Sequence, residues 1–125
     1  MKILLIDDEP DIRRIGQLAL TRVGRFDVNI APTAQEGIDL ARRVQPDAIL
    51  LDMMMPGMDG MQALAVLKQD EDLKNIPVAF MTARVQRSEM AQYLAAGAVG
   101  VVPKPFDPMA VSDIVRGLFG WSDPG

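Results

Sequence analysis

Residues 2–10 read Lys2-Ile3-Leu4-Leu5-Ile6-Asp7-Asp8-Glu9-Pro10. A short apolar run stops against three acids. Apolar runs this short and unbroken suit a strand covered on both faces. Pro10 suits the first position of a helix, where its missing N–H is one that a helix start leaves unpaired anyway. The stretch therefore predicts a buried strand, an acidic turn and a helix, with carboxylates at the strand's carboxyl end.

The same alternation recurs down the chain. Phe26-x-Val28-x-Ile30 alternates apolar with polar and predicts a second strand at a sheet edge. Ala48–Leu51, Val78–Met81 and Val99–Val102 predict the third, fourth and fifth strands. Between them lie helical patterns. Ile12, Ile15, Leu18, Ala19 and Val23 form the expected inward stripe of the first helix. Thr33 and Glu36 form a capping-box pattern ahead of Ile38, Ala41 and Val44. Asp59 caps a third helix carrying Met61, Leu64, Ala65 and Leu67. A fourth helix over Ser88–Ala96 has a weaker stripe of Met90, Tyr93 and Leu94, closed by Gly97. Asp107-Pro108 opens the last helix, with Val111, Ile114, Val115 and Leu118 on one face.

Five βα alternations imply a parallel sheet with helices on both faces and right-handed crossovers. The expected fold is α/β, a doubly wound, flavodoxin-like (βα)5 sheet in strand order 2-1-3-4-5. Such sheets bind ligands outside the carboxyl ends of the strands, where the winding reverses. Here that point falls between strands one and three.

Composition narrows the chemistry. The chain has 125 residues, 49% of them hydrophobic, enough for one domain with a real core. Residues 1–120 are expected to form it, with 121–125 as a tail. A net charge of −4 argues against a general nucleic-acid surface. The pairs Arg13-Arg14 and Arg42-Arg43 read as solvated helix faces. No cysteine and no histidine are present, which removes disulfides, thiolate zinc, His-ligated metals and Ser-His or Cys-His catalysis. The start does not read as a signal peptide, and no apolar stretch approaches the ~20 residues needed to span a bilayer. A soluble, cytoplasmic protein is expected.

The residues that follow the strands share one edge of such a sheet: Asp7 and Asp8, Asp52, Thr82, and Pro103-Lys104. Two carboxylates ~4 Å apart repel by about 4 kcal/mol at an effective dielectric of 20. Unless a cation intervenes, one of them is pushed toward protonation. Oxygen-only ligands favour magnesium or a relative; magnesium keeps waters and recruits phosphate oxygens. A hydroxyl and an ammonium beside it suit a transferred phosphoryl group. Asp52 is then the nucleophile, forming an acyl phosphate. Singly, each residue also fits a turn, a cap or a surface position; the weight lies in the constellation.

The segments Ile6–Pro10 (IDDEP), Leu50–Gly60 (LLDMMMPGMDG), Met81–Ala83 (MTA) and Gly97–Phe106 (GAVGVVPKPF) resemble the response-regulator receiver domain of two-component signalling, chemotaxis type. The resemblance runs from Met1 to about Phe119. It implies that Asp52 is the phosphoacceptor and that Asp8 and Asp52 ligate Mg2+ directly. Asp7 would act largely through water, and the backbone carbonyl of Met54 would be a further ligand. Thr82 and Lys104 would grip the phosphoryl group, and Lys104-Pro105 would be cis, against a baseline of about 5–6% for such bonds. The implied partners are a sensor histidine kinase or phosphotransfer protein and a downstream effector protein, with no direct nucleic acid and no membrane. Whether the face of helix four, strand five and helix five pairs two copies weakly is left open.

Two positions depart from the family. Val101 stands where an aromatic is frequent, so a rotating ring is unavailable there. Pro103 removes a backbone donor, which is tolerable at the end of an edge strand. Met54 and Arg84 lie two residues after Asp52 and Thr82. By resemblance they influence water access, which implies a relatively long-lived phosphoryl form; the alternative is that both merely face solvent.

Other readings are a binding-only receiver, an aspartate-nucleophile phosphohydrolase and a nucleotide or flavin binder. The phosphohydrolase usually needs a second acid two residues after the nucleophile, where Met54 stands. The nucleotide binder needs a glycine-rich first turn, where the acids stand.

Overall fold

The structure, a computed structural model, describes residues 1–83 and 86–121. Strands β1 (Lys2–Ile6), β2 (Asp27–Ala31), β3 (Ala48–Asp52), β4 (Val78–Thr82) and β5 (Gly100–Pro103) are all present. They alternate with helices α1 (Pro10–Leu18), α2 (Ala34–Val44), α3 (Gly60–Gln69), α4 (Arg87–Ala95) and α5 (Val111–Phe119). The sheet order is β2-β1-β3-β4-β5, and every neighbouring pair is parallel. The doubly wound α/β architecture and strand order expected from the sequence are observed.

Side-chain alternation splits the core across the sheet. Leu4, Ile6, Ile49, Leu51, Val78 and Phe80 face α2, α3 and α4. Ile3, Leu5, Leu50, Ala79, Met81 and Val102 face the other way, with Val111 and Val115 of α5. Each fully buried Leu or Ile contributes about 1.5–3 kcal/mol, so β1 and β3 are held rigidly at the centre. No helix among the described residues is long and apolar enough to cross a membrane.

Helix starts follow local chemistry. Thr33 accepts from the Glu36 N–H at 3.1 Å at the start of α2. Asp59 and Gln62 exchange both bonds of a capping box at the start of α3, each at 2.9 Å. The last helix differs from expectation. Asp107 anchors a turn, accepting from the Met109 N–H on its side chain and from Ala110 and Val111 on its carbonyl. The helix proper therefore begins only at Val111.

The expected stripe of the first helix holds at Ala19 but fails at Ile15, Leu18 and Val23. Ile15, Leu18 and Val23 are 41%, 48% and 42% exposed, while Gly16, Ala19, Leu20 and Gly24 are buried. Two causes act together. Gly16 lies so close to the sheet that a Cβ would stand 2.7 Å from Leu5 Cδ2, which makes glycine the contact point. Residues Ala19–Val23 then continue as a π-helical turn, with Gly24 N–H donating to the Ala19 carbonyl five residues back. The wider turn moves the inward phase from Val23 to Gly24. On α3 and α4 the burial also shifts. Ala63, Leu64 and Leu67 are buried on α3, whereas Met61 and Ala65 are exposed; on α4, Tyr93 is buried and Leu94 is exposed.

Candidate functional site

The carboxyl ends of β1 and β3 bring Asp7, Asp8 and Asp52 together. One oxygen from each lies within 4.8 Å of the others. Asp7 is fully buried and Asp52 is 3% exposed, whereas Asp8 is half-buried. The turn after β1 is built around Asp7. Its N–H donates to the Ala31 carbonyl of β2, Oδ1 accepts from the Glu9 N–H at 2.9 Å, and its carbonyl accepts from Arg13 Nη1 at 2.8 Å. Arg13 is thus a buttress of the acidic turn, and the solvated reading of that arginine is corrected. Its partner is a backbone carbonyl, which sequence patterns do not display. The usable signal was its place one helical turn after Glu9, whose carbonyl accepts the Arg13 N–H.

The β5 loop carries Lys104 across the sheet edge into this cluster. Its Nζ lies 2.7 Å from Asp7 Oδ2, 3.1 Å from Asp52 Oδ1 and 3.9 Å from Glu9 Oε1. The 2.7 Å contact makes the Lys104 ammonium the direct charge partner of the buried Asp7 Oδ2. Lys104-Pro105 is cis. Pro103 ends the edge strand in an exposed position, and the Lys104 N–H donates to the Thr82 carbonyl just beyond it.

Charge is unbalanced here. Burial, then the nearby Asp7 carboxylate, pushes the Asp52 carboxyl up to about 6, against the opposing pull of Lys104. Burial alone would lower the Lys104 ammonium, but Asp7 and Asp52 outweigh it and raise it. One lysine does not neutralise three acids. Three clustered carboxylates, two of them buried, with one ammonium among them, fit a hard divalent cation. The donor set is all oxygen, as Mg2+ prefers.

Thr82 closes β4 and is 3% exposed, one residue beyond Met81, the cross-strand partner of Asp52. The Met54 N–H donates to Asp52 Oδ1 at 3.3 Å, and the Met54 side chain is 62% exposed. Gly60 lets α3 approach this loop: a Cβ there would stand 2.8 Å from the Asp52 carbonyl oxygen and Met53 Cα. Val101 is buried opposite Phe80. The ring packed on Phe80 is Tyr93 of α4, edge-on with centroids 5.2 Å apart. Arg84 lies outside the described residues.

Comparison with known proteins agrees with this geometry. The response regulator receiver domain family matches residues 3–116. The chain is 37% identical to the response regulator Rre1 of Synechocystis sp. over 118 residues, which cover 94% of this chain and 51% of that protein. It is 30% identical to the chemotaxis protein CheY-3 of Vibrio cholerae over 119 residues, which cover 95% of this chain and 92% of that one. Among solved structures, CheY4 of Vibrio cholerae superimposes with a TM-score of 0.86 at 26% identity, covering 94% of this chain and 97% of that one. The chain spans about half the length of relatives such as Rre1.

Proposed function

Because the chain belongs to the response regulator receiver domain family of two-component signalling, we propose that Asp52 accepts a phosphoryl group from a sensor histidine kinase or phosphotransfer protein. The observation that carries this is the placement of Lys104 Nζ against both Asp7 and Asp52 at the switch point of the sheet. Asp7, Asp8, Asp52 and the Met54 carbonyl would hold Mg2+. That ion, when bound, supplies positive charge against the phosphoryl oxygens. An Asp52 carboxylate oxygen attacks phosphorus, the bond to the donor breaks, and the leaving group departs with the donor. Lys104 exchanges its carboxylate partner for a phosphoryl oxygen, and the Thr82 hydroxyl donates to another. Water later attacks phosphorus and returns Asp52 to the carboxylate. The chain thus acts on itself and is a signalling protein, not an enzyme of turnover.

The loaded state would change a protein-binding surface read by a downstream effector in the cytoplasm. Residues 1–120 would serve as the receiver; of the expected 121–125 tail, Trp121 packs on Phe26 and Phe119, and 122–125 lie outside the described residues. An exposed, apolar Met54 side chain beside Asp52, with Arg84, would slow water's approach and lengthen the loaded state. Unchanged loss of the phosphoryl group in Met54→Ala and Arg84→Ala would remove that role.

The test is intact mass after incubation with acetyl phosphate, with and without Mg2+. One phosphoryl group is expected, dependent on Mg2+ and absent in Asp52→Asn. No gain under any condition leaves the binding-only receiver.

A further inference from the structure

All sulfur in this chain is thioether: there are nine methionines and no cysteine. Met53, Met54, Met55 and Met58 crowd the loop after Asp52, with Met61 in the first turn of α3. Burial sorts them sharply. Met53 and Met55 are 7% and 8% exposed and belong to the core under α3, Met58 packs against that core, and Met61 is 36% exposed. The two buried neighbours pin the loop and leave Met54, between them, 62% exposed. The same residue donates its N–H to Asp52 Oδ1. The most exposed thioether of the loop therefore sits on the residue whose backbone touches the proposed phosphoacceptor.

We propose that Met54 is a reversible oxidation site through which a hydroperoxide shortens the life of the phosphoryl group on Asp52. The inference rests on the phosphoacceptor reading above. In the modifying step a sulfur lone pair attacks the terminal peroxide oxygen. The S–O bond forms, the O–O bond breaks, and the proton on the transferred oxygen passes through water to the departing hydroxide or alkoxide. Sulfur loses two electrons and the peroxide gains them. The product, a sulfoxide, is polar and can be reduced back enzymatically. With no cysteine in the chain, no thiolate competes for the oxidant within it. Before oxidation, Met54 carries an exposed apolar group and a weak acceptor two residues after Asp52. Afterwards it presents an S=O oxygen that holds water at the place where water must attack.

The test treats the full chain with hydrogen peroxide, maps sulfoxides by peptide mass spectrometry, and then follows loss of the acetyl-phosphate-derived phosphoryl group by intact mass. Met54 is expected to oxidise ahead of Met53 and Met55, together with the exposed Met109. Oxidation should speed phosphoryl loss about threefold or more, the rate equivalent of one modest hydrogen bond. The acceleration should persist in Met109→Leu and vanish in Met54→Leu, each compared with its own untreated rate. Equal loss before and after oxidation, or acceleration that survives in Met54→Leu, overturns the proposal alone. Failure of the untreated protein to take any phosphoryl group overturns the phosphoacceptor reading, and this one with it.

Discussion

The protein sequesters a cation at each edge of its sheet, Lys104 half-buried and Arg116 buried, and the two are held differently. At the carboxyl edge, Lys104 faces Asp7, Asp52 and the more distant Glu9. At the amino edge, Arg116 of α5 is 8% exposed. It donates Nη2 to the Gly24 carbonyl at 2.7 Å, pairs with Asp113 at 3.3 Å and lies 5.0 Å from the centre of the Phe26 ring. Ser112, one turn earlier, points its hydroxyl at the Ala19 carbonyl, 3.5 Å away. Arg116 thus ties α5 to the π-helical end of the first helix with mostly neutral partners. Lys104 sits among groups that repel one another, a conflict the proposed Mg2+ and phosphoryl group would relieve. Buried charge held by neutral acceptors and a ring makes a joint; buried charge held by surplus opposite charge makes a place for a ligand.

That contrast can be broken experimentally. The largest effect is expected at the amino edge. Arg116→Ala leaves the Gly24 carbonyl without its donor and uncovers Phe26, so urea unfolding should show a loss of about 2–4 kcal/mol.

Asp52→Asn should act in the opposite direction. The folded-state pKa of Asp52, about 6, stands above its unfolded value of 3.8. The native state therefore binds the extra proton between these values, and the stability this group contributes falls as pH rises through about 6. The variant lacks that loss. It should be more stable than wild type by about 1–2 kcal/mol at pH 8 without metal, allowing for its lost contact with Lys104. The gain should shrink as pH falls toward 4. A gain independent of pH would mean that the acids at this edge are not in conflict.

Magnesium should narrow the same gap from the other side. At tenfold its dissociation constant, it should stabilise wild type at pH 8 by about 1.4 kcal/mol and Asp52→Asn by much less. Thermal melts with and without the ion measure both. The smallest effect sharpens the comparison by leaving the charges alone. Asp59→Ala removes a helix cap beside the site and should cost about 1 kcal/mol, independent of Mg2+.

Much of this was legible in the sequence because strands and strand ends are local signals. The run Ile3–Ile6 is apolar because both faces of β1 are covered, and parallel strands bring their terminal acids together without further information. The phase of the first helix was not legible. A π-helical turn adds a fraction of a residue per turn, and a search at period 3.6 then assigns Val23 to the face that Gly24 occupies. Gly16 was equally silent, since its contribution is the side chain it lacks. Arg13 was missed because the Asp7 carbonyl is a feature of chain path, not of residue type.

The single tryptophan has a practical consequence. Trp121 stacks on Phe119 at 5.2 Å and leans on Phe26 at 5.5 Å, at the Arg116 edge of the sheet. Its emission is therefore a gauge of the amino edge, away from the acids. A titration followed by fluorescence would read the docking of the last helix and stay dim to events at Asp52. An optical probe of loading would need a second fluorophore placed near the β4 or β5 carboxyl end, with Trp121→Phe to clear the background.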